Sequence, residues 1–248
     1  MYKSIVFGFL GLFFLVACQP QTHLVKSDHQ YLSVKDVDKE DASITALIQP
    51  YKEQVAEEMN TVIGETAKML TKEQPESTLG NWATDLVHQQ CEQYLKQKVD
   101  FAVLNYGGLR IPSLPKGKIT KGKIFELMPF DNLLVVLEIK GSDLMDLFHH
   151  IAVNGGWPLS KQVKITTQKN KAIDVKINGQ KIDKKRLYYV ATNDYIANGG
   201  DKCSFLEDKK QLPTGKRFRD AILEFVEAET KAGRKLDAQL EQRIFVLK

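Results

Sequence analysis

The chain has 248 residues, enough for one large domain or two small ones with a sizeable core. Its 43% hydrophobic and 27% charged residues match a soluble globular protein. The net charge of +4 comes from scattered lysines without an arginine block or a basic-aromatic stripe, which disfavours nucleic-acid binding and supports at most an attraction for phosphorylated small molecules or anionic surfaces.

Taken in order, the chain opens with Lys3, an almost wholly apolar run from Ile5 to Val16, and Leu15-Val16-Ala17-Cys18. The run is short for a membrane span and ends in small residues, as a cleaved signal peptide does. Cys after Leu-Val-Ala resembles a bacterial lipobox. Residues 1–18 are therefore expected to be a lipoprotein signal peptide, with Cys18 lipidated and anchoring the mature chain to a membrane of the cell envelope, facing the periplasm. The alternative is an ordinary signal peptide with an incidental cysteine. Residues 19–41 are polar and aperiodic, a tether, and 42–248 form the folded domain. Cys91 and Cys203 have no spacing that demands a disulfide or a metal site, and read as free or buried thiols.

Apolar residues at Ile44, Leu47, Ile48, Tyr51, Val55 and Met59 predict a helix with one apolar face. Ser77 or Thr78 caps a helix running to Leu95, with Leu79, Trp82, Leu86 and Val87 inward. Gly80 in its first turn allows close approach of a ligand or of packed chain. Val99–Leu104 reads as a buried strand, Lys121–Leu127 as a short helix ended by Met128-Pro129, Leu133–Ile139 as a strand, and Gly141–Ala152 as a helix carrying His149 and His150. Adjacent histidines diverge by about 100° on a helix, so these two read as surface or packing residues. Strands follow at Val163–Thr167 and Ala172–Ile177, with a hairpin turn at Asn178-Gly179. A further strand ends at Asn193. Phe218–Glu229 is an amphipathic helix, and Arg243–Leu247 a closing strand.

Two stretches share a design, an apolar run ending in polar residues and a glycine pair. The first is F-A-V-L-N-Y-G-G-L-R from Phe101, and the second is V-A-T-N-D-Y-I-A-N-G-G-D from Val190. Together with Phe130 they supply the parts of a nucleoside site. Aromatic faces at Phe130 and Tyr195 can sandwich a base, Asp201 can hold ribose hydroxyls, Asn105 can bond a base edge or ribose, and Arg110 can grip phosphate oxygens. Gly107 and Gly108 are expected to adopt unusual dihedrals and leave backbone N–H groups uncovered, as anion nests do.

N-Y-G-G-L-R, the run K-G-K-I-F-E-L-M-P-F-D-N-L-L-V-V-L-E-I-K-G-S-D-L, and Y-V-A-T-N-D-Y-I-A-N-G-G-D-K-C-S-F together resemble the C-terminal, substrate-binding domain of the 5'-nucleotidase family, over about Ile44 to Lys248. The resemblance implies an α/β fold of layered helix–sheet–sheet–helix type with mixed sheets. It also implies a nucleotide or nucleoside site at Asn105, Gly107, Gly108, Arg110, Phe130, Asn132, Tyr195 and Asp201, with Tyr195 replacing a more common Phe. One departure stands out. The family's arginine ahead of L-G-N is replaced by Pro75-Glu76-Ser77. Glu76 would repel phosphate, which leaves Arg110 as the main anionic contact and Lys72 as a substitute.

In that family a separate N-terminal metallophosphoesterase domain carries two metal ions that perform hydrolysis. The five histidines here have no Asp partners at that domain's spacing, so no cofactor is expected in this chain, no catalytic residue is assigned, and the divalent metals belong to a partner. Three readings stay open. The chain is the recognition half of a split 5'-nucleotidase, acting as a hydrolase only with a metallophosphoesterase subunit. Alternatively it is a non-catalytic nucleoside or nucleotide binder, or a structural descendant that has lost its ligand.

Overall fold

The computed structural model describes residue 30 and residues 41–247, so the predicted signal peptide, Cys18 and nearly all of the tether lie outside the described residues. The chain separates into two compact units, Met1–Leu47 and Ile48–Lys248. The described part of the first holds the opening turns of helix α1 (Ala42–Met59), which forms where the apolar spacing predicts. In the second unit the α1 residues Ile48, Tyr51 and Val55 are exposed, so the predicted apolar face does not enter the core there.

The second unit continues through β1 (Val62–Thr66), β2 (Leu70–Thr71), α2 (Thr78–Leu95), β3 (Phe101–Ala102), β4 (Ser113–Leu114), β5 (Gly117–Thr120), α3 (Lys121–Leu127), β6 (Leu133–Lys140) and α4 (Leu144–Val153). It then runs through β7 (Val163–Gln168), β8 (Lys171–Ile177), β9 (Gln180–Lys181), β10 (Leu187–Asn193), α5 (Asp194–Ala197), β11 (Lys210–Arg217), α6 (Phe218–Lys231) and β12 (Ile244–Leu247). One four-stranded sheet has the order β11-β6-β10-β3 and a second the order β12-β7-β8-β9; β1-β5 and β2-β4 are small two-stranded sheets.

The two-residue period of β6 explains how the central sheet is buried on both faces. Leu134 and Val136 join a core with Leu79, Trp82, Leu86 and Val87 of α2 and Phe218, Ile222 and Val226 of α6. Val135, Leu137 and Ile139 join a second core with Leu144, Leu147, Phe148 and Ile151 of α4 and with Val163, Ile165, Val175 and Ile177 of the other sheet. Each such aliphatic side chain contributes about 1.5–3 kcal/mol by burial. Cys91 and Cys203 are free and buried, one in each core, and burial pushes both thiols up to about 12.

Helix α2 starts where its capping sequence predicts. The Ser77 hydroxyl accepts from the Gly80 amide at 3.0 Å, a cap worth about 1 kcal/mol. Gly80 proves to be a packing glycine, because a Cβ there would meet Ser77 Oγ at 2.7 Å and the Pro158 ring at 3.0 Å. Glu76 also has a structural role. Its carboxylate accepts from Asn81 Nδ2 at 2.7 Å and from the Glu241 and Arg243 amides, both at 2.8 Å. Arg243, almost wholly buried, pairs with Asp85 at 2.6 Å and donates to the Leu159 carbonyl at 2.7 Å. Glu76 and Arg243 thus fasten the segment leading into β12 onto the start of α2.

Strand direction decides where the functional loops gather. β3 runs parallel to β10, and β6 runs antiparallel to it. The carboxyl ends of β3 and β10 and the amino end of β6 therefore meet at one edge of the sheet. The loops bearing Asn105–Arg110, Phe130–Asn132 and Tyr195–Asp201 all leave from that edge, the position where strand ends of α/β sheets characteristically hold ligands.

Candidate functional site

The loop after β3 begins at Asn105, which is buried, and turns through a single 3₁₀ turn at Tyr106–Gly108. The Gly108 amide donates to the Asn105 carbonyl at 3.1 Å. Neither glycine has the left-handed φ the sequence suggests, so the turn is not a nest of that kind. Gly108 is required for a different reason. A Cβ there would stand 2.7 Å from Asn105 Oδ1, whose side chain folds over it. Gly107 has only Asn105 Nδ2, at 3.8 Å, near its would-be Cβ. Arg110 is exposed; its amide donates to the Leu127 carbonyl at 2.9 Å and its Nη1 to the Gly107 carbonyl at 3.3 Å. Its guanidinium lies 5.7 Å from the Phe130 ring centroid.

Phe130 stands at the tip of the loop before β6 with its ring part-exposed. The backbone there is gripped by Arg219 of α6, which is buried and donates to the Phe130 carbonyl at 3.3 Å and to Asp131 Oδ1 at 2.6 Å. The same guanidinium lies 4.5 Å from the Phe125 ring centroid. The Asn132 carbonyl accepts from the Phe218 amide at 2.8 Å. Sequence reading passed over Arg219, which sits 89 residues from Phe130; the only hint was a cation at the start of an otherwise amphipathic helix.

The third loop is organised by its own residues. Asn193 caps α5 by accepting from the Ile196 amide at 2.9 Å, which places Tyr195 in the first turn. The Tyr195 hydroxyl donates to Asp201 Oδ1 at 2.8 Å, and Asn105 Nδ2 donates to Asp201 Oδ2 at 2.7 Å. The bond to the carboxylate holds the Tyr195 phenol above its ordinary value. Asp201 takes a left-handed conformation, φ 52°, immediately after Gly199 at φ 87° and Gly200. Gly200 lies against Tyr195: a Cβ there would meet its carbonyl at 2.4 Å and its ring at 2.6 Å.

These loops bring together all eight predicted residues. Asn105, Gly107, Gly108, Arg110, Phe130, Asn132, Tyr195 and Asp201 line one cavity of about 380 Å³. It has two part-exposed aromatic rings, a cation at its edge and a carboxylate oriented by two donors. The Asn105 Oδ1 acceptor is buried there with no partner among the described residues. A larger cleft of about 530 Å³ lies elsewhere, around Asp100 and Arg186. That ion pair satisfies its own charges, and the cleft offers no pair of opposed aromatic faces, so the smaller cavity is the candidate site.

His149 and His150 do not enter the site. His149 Nδ1 accepts from the Ala172 amide at 3.2 Å, and His150 packs edge-on to Trp157 with centroids 5.0 Å apart. Among the described residues no group of three or more His, Cys, Asp or Glu side chains is placed to hold a metal ion.

An exposed aromatic pair, an aspartate and an arginine thus gather at one strand-end cavity of a mixed α/β domain, and comparison with known proteins gives its family. Residues 61–208 match the model of the family described as 5'-nucleotidase, C-terminal domain, and the chain belongs to that family. It is 28% identical to Protein UshA of Salmonella pullorum over 140 residues, covering 54% of this chain and 25% of that protein. It is 26% identical to the 5'-nucleotidase of Vibrio vulnificus over 182 residues, covering 71% and 32% respectively. The crystal structure of a 5'-nucleotidase precursor from Thermus thermophilus superposes with a TM-score of 0.70 at 27% identity, over 84% of this chain and 44% of that one. The chain thus spans a quarter to a third of the length of these two sequence relatives.

Proposed function

We propose that this domain recognises a nucleotide or nucleoside in the 380 Å³ cavity, and that it serves 5'-nucleotide breakdown together with a metallophosphoesterase carried on a separate chain. The convergence of all eight residues on one cavity carries this reading. The base lies between Phe130 and Tyr195, where each stack is worth about 1–3 kcal/mol. The Asp201 carboxylate, held by Asn105 and Tyr195, accepts from the ribose hydroxyls, and the unpartnered Asn105 Oδ1 accepts one further ligand donor. Arg110 takes the phosphate. Among the described residues no cluster is placed to hold the divalent metals of the family's hydrolysis, and in this reading they sit on the partner. The partner supplies that chemistry, and this domain supplies orientation. Cys18, as a lipidated residue, anchors the chain to the envelope membrane on the periplasmic side.

The second reading, a binder without hydrolysis, draws on the cavity being lined from this chain alone. Calorimetric titration with AMP, adenosine and UMP, beside Phe130→Ala and Tyr195→Ala, tests recognition. Binding that both substitutions remove is the expected result, and affinity that survives both would refute the aromatic clamp. Phosphate release on adding a metallophosphoesterase that lacks its own recognition domain separates the first reading from the second.

A further inference from the structure

The sheet β12-β7-β8-β9 buries one face and exposes the other. Its register sets Lys164 of β7 opposite Lys176 of β8, and Lys176 opposite Lys181 of β9. Opposed residues share a face, so three exposed lysines form a row across strands about 4.8 Å apart. The next outward row sets Phe245 of β12 beside Thr166 and Asp174, and the one beyond it sets Leu247 beside Gln168 and Lys171. Phe245 is 52% exposed, and Ile173, at the register shift of β8, is 51% exposed. Like charges directly opposite one another destabilise a sheet. Among these outward positions one carboxylate, Asp174, faces four lysines, and its contact with Lys176 is a loose 4.0 Å. Lys164 gives one of its three donors to the Glu241 carbonyl, which has no charge to offset its own.

We propose that this sheet face docks on an anionic lipid bilayer. A negative surface offsets the repulsion along the lysine row, while Phe245, Leu247 and Ile173 enter the boundary between headgroups and acyl chains. The composition of the face selects this partner over other anionic ones. Lysine is depleted from the cores of protein–protein interfaces. Single-stranded nucleic acid is held on successive stacked aromatics with arginine support, whereas these strands present one outward aromatic ring and, among the described residues, no outward arginine. None of these residues lines the nucleotide cavity, so the contact is separate from recognition there. Beside a lipidated Cys18 it supplies a second membrane signal of a different kind, electrostatic as well as apolar.

The test is sedimentation of residues 19–248 with vesicles of equal parts phosphatidylglycerol and phosphatidylcholine, and with vesicles of phosphatidylcholine alone. This chain keeps both hydrophobic cores and lacks Cys18, so binding to vesicles is the domain's own. The unsubstituted chain is expected to bind the anionic vesicles only, and to release from them as salt is raised. Lys176→Gln, at the centre of the row, should weaken binding about fivefold, and Lys181→Gln on the edge strand by a similar factor. Phe245→Ser should weaken it severalfold through lost apolar contact. Lys118→Gln removes the same charge from an exposed position on β5, in another sheet, and should stay within about twofold of the unsubstituted chain. The urea midpoint of Lys176→Gln should be no lower than that of the unsubstituted chain, because the substitution relieves repulsion; lost docking is thereby separated from lost folding. Equal weakening by Lys176→Gln and Lys118→Gln would mean that net charge alone attracts the chain, and would overturn the proposal. So would equal binding to both kinds of vesicle, or binding to neither. Binding to polyglutamate or a single-stranded oligonucleotide instead of the vesicles, lost in Lys176→Gln, would assign the face to another macromolecule and overturn the lipid assignment.

Discussion

The two aromatic faces of the cavity are held by opposite means. Tyr195 is fixed from within its own loop, through a hydroxyl bonded to Asp201 six residues on and a glycine that lets the chain lie against its ring. Phe130 has no polar handle. Its position depends on Arg219, which reaches from α6 to the loop carbonyls and to Asp131. A polar aromatic can be positioned by its own tip, whereas an apolar one must be positioned through its backbone, and the backbone can be reached from anywhere in the fold.

The contrast breaks most severely at Arg219. Arg219→Ala removes a buried guanidinium and leaves the Phe130 carbonyl and Asp131 without their donor. The expected cost is about 2–3 kcal/mol in urea unfolding, with weaker nucleoside binding as Phe130 loses its seat. Unchanged stability would mean that Arg219 does not hold this loop.

The glycine pairs give the next largest effect. Gly200→Ala forces a methyl into the Tyr195 carbonyl and ring and should cost about 1–3 kcal/mol with loss of binding. Gly107→Ala, in the matching sequence motif, meets only one atom at 3.8 Å and should change stability by no more than about 0.5 kcal/mol. Thermal unfolding of the two variants side by side would show whether similar motifs do different work here.

Tyr195→Phe sharpens the comparison on a smaller scale. It keeps the aromatic face and removes the hydroxyl, making Tyr195 resemble Phe130. The side chain is 46% exposed, so the stability cost should be below about 1 kcal/mol. The ligand should report the loss instead, because Asp201 then keeps only the Asn105 donor. Adenosine binding is expected to weaken severalfold, and a variant that binds as wild type does would show that the hydroxyl is not needed to orient Asp201.

The same local-versus-remote distinction governs how much was legible in the sequence. The strand-then-glycine motifs marked two loops, because those signals lie within a few residues of the atoms they position, and the Pro-Phe-Asp-Asn run marked the third through the family resemblance. The caps at Ser77 and Asn193 work the same way. Arg219 was not legible, since its partner is 89 residues away and nothing in an amphipathic helix says which cation will turn inward. The structural role of Glu76 was hidden for a related reason. Its charge was visible, but the amides of Glu241 and Arg243 that it accepts from come from the far end of the chain. Gly107 and Gly108 line the cavity without the left-handed φ expected of them, because a sequence shows that a glycine is present without showing whether dihedral or crowding requires it. Exposure of α1 was equally hidden, as apolar spacing predicts a face but not a partner for it.

The smallest effect concerns what lies beneath the self-organised loop. His150 on α4 packs against Trp157 and Phe205, its Nε2 is buried without a partner among the described residues, and it faces Asp201 and Lys202. Burial, the largest influence, holds its pKa below the ordinary 6.5, while the backbone and charge of Asp201 pull weakly the other way. A buried histidine that resists protonation destabilises the fold in acid. As pH falls through 6.5 the unfolded chain gains a proton that the folded chain refuses, and stability is lost until the lower folded value is passed. Urea midpoints for wild type and His150→Gln between about pH 7.5 and about pH 5, within the range where histidine titrates, should therefore show wild type losing more stability than the variant. If Tyr195 and Asp201 do not depend on His150, nucleoside affinity will stay level across the same range. A parallel fall in affinity, absent from His150→Gln, would show that this loop too is supported from a distance, and that the difference between the two aromatic faces is one of degree.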